Sequence, residues 1–144
     1  MVANRICKLF DESLKIKAAR GWDTLYVLVD LHGTVFTPTY ENTELYKFYP
    51  YAKEVLQRLT KSKLFNLILW TSTYDEELEK YLEVFKKNEI HFDQVNMNIL
   101  EKSNKYACFD KKLYFNIGLD DKFGFCPEED WEQIENWLRE HEEI

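Results

Sequence analysis

Apolar residues along the chain fall into two kinds of pattern, spaced every three or four positions or gathered in short unbroken runs. Residues 4–19 place Ile6, Leu9, Phe10, Leu14 and Ile16 at helical spacing, and Gly21 ends that run. Residues 24–29 are short, apolar and partly β-branched, which predicts a buried strand. Pro50 opens a predicted helix over 50–59, with Tyr51, Val55, Leu56 and Leu59 facing inward. A second buried strand is expected over 64–70. A charged amphipathic helix follows over 75–87, with Leu78, Tyr81, Leu82 and Phe85 on one face. Short strands are expected over 92–96 and 113–119, and Pro127 opens a last helix over 127–142 that carries Trp131, Ile134, Trp137 and Leu138. Strands that alternate with helices predict an α/β fold, a Rossmann-like three-layer α/β/α sandwich around a mainly parallel sheet. Neither a repeat nor a low-complexity linker interrupts the chain, so residues 1–144 read as one domain, with an N-terminal helix over 1–20 packed on the core.

Composition narrows the function classes. The 144 residues are 45% hydrophobic and carry a formal charge of -7, so a folded core is expected and broad nucleic-acid binding is not. Three cysteines, Cys7, Cys108 and Cys126, form no CxxC pair, which argues against a disulfide framework or a structural zinc site and for a reducing cytoplasm. The charges scattered through the first twenty residues interrupt any signal peptide, and no apolar run is long enough to span a membrane.

In parallel sheets ligands gather at the carboxyl ends of the strands. The first strand ends on Asp30, in the stretch LVDLHGTVF with its Gly33-Thr34 turn; the second ends on Thr71 and Ser72; the fourth ends on Asp120 and Asp121, with Lys111 and Lys112 just ahead of it. Carboxylates brought this close repel one another and call for a cation, and oxygen ligands favour Mg²⁺. A hydroxyl and a lysine beside them suit the oxygens of a transferring phosphoryl group.

The order Asp30-x-x-Gly33-Thr34, then Thr71 after an apolar strand, a lysine, and Asp120-Asp121 after another strand resembles the haloacid dehalogenase superfamily. The stretch 50–74, PYAKEVLQRLTKSKLFNLILWTSTY, is similar to the branch that includes carboxy-terminal-domain phosphatases. The resemblance implies a Mg²⁺-dependent phosphatase working through an aspartyl-phosphate. It makes Asp30 the nucleophile and a metal ligand, Thr71 a phosphoryl ligand, Asp120 a metal ligand, and Asp121 a ligand of the metal or its waters. Gly33, Thr34 and Ser72 would line the substrate. Lys112 is preferred as the phosphate lysine over Lys111, Lys105 and Lys102. His32 is the departure, because family phosphatases carry there an Asp that protonates the leaving group. The backbone carbonyl of residue 32 would still bind Mg²⁺, and a histidine can do acid/base work with a different pH profile. The alternative is a binding or regulatory protein on a degenerate scaffold of this family that keeps the metal site. No connection is long enough for a cap domain, so the site should be open, with the aromatic loop 36–49 as its rim. Capless relatives tend to act on large substrates, and phosphoprotein, nucleic-acid terminus and small phosphate ester all stay open.

Two further resemblances fail. Asp-x-His-Gly also opens metallophosphoesterase sites, but those need more histidines, including an Asn-His pair, and the chain has three histidines and no such pair. Receiver domains place their acidic pair first in sequence, whereas here it comes last.

Overall fold

A computed structural model describes residues 4–37, 46–98 and 113–144. Four parallel strands, β1 (Leu25–Asp30), β2 (Phe65–Trp70), β3 (Gln94–Val95) and β4 (Ile117–Leu119), form one sheet in the order β3-β2-β1-β4. The inner strands are apolar on both faces because both faces are covered. Leu25, Val27, Val29, Phe65, Leu67 and Leu69 look into the main core, while Tyr26, Leu28 and Ile68 look the other way.

Helices α1 (Arg5–Arg20), α2 (Ala52–Lys61), α3 (Asp75–Lys87) and α4 (Pro127–Glu140) supply the main core. Ile6 and Phe10 of α1, Val55, Leu56 and Leu59 of α2, Phe85 of α3 and Trp131, Ile134, Trp137 and Leu138 of α4 are all buried there. The connection from β3 at one edge of the sheet to β4 at the other reaches the opposite face, where Leu113, Tyr114 and Phe115 pack on Tyr26, Leu28 and Ile68. The architecture is α/β and Rossmann-like, a parallel sheet flanked by helices.

Local chemistry fixes the ends of these elements. The Asn4 side chain accepts the Ile6 N–H at 2.8 Å and starts α1; Gly21, at φ 68°, ends it with its N–H on the Lys17 carbonyl. Asp75, Glu76 and Glu77 open α3 and Lys86 and Lys87 close it, in line with the helix dipole.

Two expectations are corrected. Tyr51 does not face inward: it takes a left-handed φ of 70° ahead of α2 and is 40% exposed, because the helix begins only at Ala52. The fourth strand is shorter than 113–119, because the Asn116 side chain, not the backbone of its neighbours, accepts the Tyr26 N–H at 2.7 Å. Tyr74 occupies the N-cap position of α3 without a side-chain bond. The aromatic loop leaves the site as a paired arm. Thr37 N–H donates to the Lys47 carbonyl and Tyr49 N–H to the Val35 carbonyl, both at 2.9 Å. Phe36, Tyr46 and Phe48 stack against Tyr81 and Phe85 of α3. Residues 38–45 of the loop expected to form the rim lie outside the described residues.

Candidate active site

Parallel register aligns the carboxyl ends of β1, β2 and β4. Asp30 pairs with Trp70, and Val29 with Leu119, so Asp30 and Asp120 end adjacent strands. Past Asp30 the chain turns at once. Val35 and Phe36 N–H groups both donate to the Leu31 carbonyl, at 3.0 and 3.3 Å. Gly33 takes φ 77°, and a Cβ on it would lie 3.2 Å from the Asp121 carboxylate. Any side chain at 33 would be strained by the backbone angle and pressed on an acid.

The turn delivers Thr34, fully buried, into the centre of the acidic group. Its hydroxyl lies 3.1 Å from Asp30 Oδ2 and 3.3 Å from Asp121 Oδ1, and it accepts the Asp121 N–H at 3.1 Å. From behind, the Trp131 indole N–H of α4 donates to the Thr34 carbonyl at 2.7 Å. Asp120 accepts the Lys122 N–H at 2.9 Å and so starts the short 3₁₀ turn Asp121–Phe123.

Carboxylate oxygens of Asp30, Asp120 and Asp121 all come within 4.8 Å of one another. Burial pushes Asp30 up to about 7, and the Asp120 charge and Asp121 carboxyl push the same way against the Thr34 hydroxyl and the Leu31 N–H. Burial also raises Asp120, opposed by the Lys122 N–H and reinforced by Asp121. Asp30 and Asp120, both raised above the ordinary carboxylate range and crowded with Asp121, fit a hard divalent cation, which would take the place of their protons.

The remaining predicted residues form a second group. His32 is exposed, with Nε2 3.3 Å from the Thr73 hydroxyl and its ring edge-to-face with Tyr81, centroids 5.2 Å apart. Thr73 in turn lies 2.7 Å, hydroxyl to hydroxyl, from Thr71. Asn96, at φ 55°, clamps the loop after β2: its Oδ1 accepts the Thr71 N–H and its Nδ2 donates to the Thr71 carbonyl, both at 2.8 Å. Ser72 is exposed at the same loop. The Gly33 N–H is taken by the Phe36 carbonyl at 3.1 Å, and the Thr34 hydroxyl by the acids, so these two shape the turn. Lys112, Lys111, Lys105 and Lys102 lie outside the described residues. His91, beside Asp93, and His141, stacked on Trp137, stand on other parts of the fold.

Sequence reasoning missed Thr73, Asn96 and Trp131 as parts of this constellation. The first two carry a local signal, a third hydroxyl in Thr71-Ser72-Thr73 and an Asn just past a strand. Trp131 carries none beyond helical spacing, because its polar N–H shows its use only in three dimensions.

No protein-family model and no curated protein matches the chain. Among solved structures it is similar to a conserved protein coded by a locus from Bacteroides thetaiotaomicron, at 26% identity and a TM-score of 0.61, over 82% of this chain and 92% of that one. No described helix is long and apolar enough to cross a membrane.

Proposed function

We propose that this crevice is the active site of a Mg²⁺-dependent phosphatase of the haloacid dehalogenase type, with Asp30 as nucleophile. The observation that carries the reading is the carboxylate trio Asp30, Asp120 and Asp121, bridged by the buried Thr34 hydroxyl at the carboxyl ends of adjacent strands. Asp30, Asp120, Asp121 and the His32 carbonyl would hold Mg²⁺, which offsets the charge between an anionic carboxylate and an anionic phosphate.

An Asp30 oxygen bonds to phosphorus as the ester oxygen leaves. The imidazolium of His32 gives that oxygen its proton. Water then attacks the aspartyl-phosphate, the neutral imidazole takes the water's proton, and Asp30 and inorganic phosphate are freed. Thr71 and Ser72 bind the phosphoryl oxygens, and the His32–Thr73–Thr71 chain supports an imidazole held beside that hydroxyl cradle.

Turnover of p-nitrophenyl phosphate with and without Mg²⁺, beside an Asp30→Asn control, tests the reading: activity should need the metal and vanish in the variant. His32→Ala should slow alkyl phosphates by about 10²–10⁴-fold and p-nitrophenyl phosphate less, because that leaving group hardly needs a proton. The second reading, a binding or regulatory protein on a degenerate scaffold, is favoured by His32 where a carboxylic acid would stand. It wins if calorimetry shows Mg²⁺ binding that Asp120→Ala abolishes while no phosphate ester turns over.

A further inference from the structure

Alternation along the strands puts the side chains of Asp30 and Trp70 on the same face of the sheet, since Leu28 and Ile68 two residues earlier share that face and Asp30 pairs with Trp70. Neighbouring strands lie about 4.8 Å apart, so the Trp70 and Asp30 side chains leave the sheet side by side. Trp70 is nevertheless 39% exposed. On the other side of the acids, Phe123 follows Asp121 in the 3₁₀ turn and is 62% exposed, its ring 3.2 Å from where a Gly118 Cβ would be. Gly118 pairs with Leu28, so this ring also lies on the Asp30 face. Tyr74 and Met97, in the segments that follow β2 and β3, are exposed too. Four of the seven exposed large apolar side chains of the described residues, Trp70, Tyr74, Met97 and Phe123, thus follow the strand ends that carry the acids, while Leu9, Ile16 and Tyr51 lie elsewhere. A polar centre with exposed aromatic side chains beside it is the usual make-up of a small-molecule site.

We infer that the preferred substrate is a phosphate monoester whose leaving group carries a planar ring, stacked on Trp70 with Phe123 on the far side of the acids. The inference rests on the phosphatase reading and gives its site a substrate class. A ring a few bonds from phosphorus, as in a benzyl phosphate or a nucleoside 5′-monophosphate, reaches a platform next to the nucleophile. A long nucleic-acid strand is a poor fit to a chain of net charge -7.

The test compares Trp70→Ala and Trp70→Phe with the parent on three esters of primary alcohols: benzyl phosphate, a nucleoside 5′-monophosphate and glycerol 3-phosphate. Their leaving groups are alike in kind, so the ring is the main variable. Loss of stacking on one aromatic corresponds to about 5–150-fold. The expected result is that Trp70→Ala lowers kcat/KM for a ring-bearing ester at least tenfold more than for glycerol 3-phosphate. The loss should fall mainly on KM, and Trp70→Phe should recover most of it. Equal losses on all three esters would make Trp70 a structural residue and overturn the inference while leaving the phosphatase reading intact. If the parent turns over none of them, its turnover of p-nitrophenyl phosphate decides whether the phosphatase reading fails. The inference is then decided by calorimetry with the same three esters in the presence of Mg²⁺. Tighter binding of a ring-bearing ester that Trp70→Ala abolishes sustains it, and equal or absent binding of all three overturns it.

Discussion

Asp30 is half-buried beside two other acids, and its ionised form is disfavoured first by burial and then by the Asp120 charge. Its carboxyl is pushed up to about 7 in the folded chain against 3.8 for the free side chain, so the folded state holds the extra proton between those values. Stability of the metal-free protein should therefore fall as pH rises from about 4 to about 7, because ionisation then costs more in the folded state than in the unfolded one. Asp30→Asn removes that charge. With a chelator present at pH 8 the variant should be more stable than the parent by about 1–2 kcal/mol, after allowing for solvent screening and for sharing among the three acids. At pH 5 the advantage should shrink to less than half, because the folded parent there keeps the proton on Asp30. Thermal melts at both values check this; a parent more stable than the variant at pH 8 would contradict it. The acids themselves were legible in the sequence, because an apolar run that ends on Asp is a local pattern. What each acid touches was not, since the Thr34 hydroxyl meets Asp121 across 87 positions of chain.

Whether an element could be read from the sequence depended on how local its determinants are. The bounds of α3 follow from its acidic first turn and basic last turn, and the structure keeps them at Asp75–Lys87. The fourth strand looked longer than it is, because a side chain 90 positions away from Tyr26 substitutes for a ladder bond. Helix α4 was legible as an amphipathic helix, yet its second task, holding the Thr34 turn through Trp131, depends on a contact over 97 positions. Trp131→Phe keeps an aromatic in the core and leaves the buried Thr34 carbonyl without its donor. Such a loss costs about 1–3 kcal/mol, with a further contribution from the smaller ring. Denaturant unfolding should show a destabilisation of at least that size. Calorimetry should show Mg²⁺ bound several-fold more weakly, because Thr34 sets the spacing of Asp30 and Asp121. A variant that is destabilised but binds the metal as the parent does would make Trp131 a core residue only.

The sheet as a whole gathers residues 30, 34, 120 and 121 at one point, and this convergence sets a stability cost that a ligand can relieve. In the metal-free chain the acids either share protons or repel. A divalent cation that binds the folded state alone stabilises it by about 1.4 kcal/mol at ten times its Kd, or roughly 4 °C for a domain of this size. The proton on Asp30 competes for the same oxygens, so the gain should grow with pH. Mg²⁺ added at a fixed millimolar concentration should raise Tm more at pH 8 than at pH 5.5. Sodium chloride at matched ionic strength should raise it little, since a screened repulsion is not a filled site. In Asp120→Ala the specific increment should disappear at both pH values, because the trio is reduced to a pair. An increment of equal size with sodium and magnesium salts, or one that survives Asp120→Ala, would mean that the acids merely repel and that no cation is held at this end of the sheet.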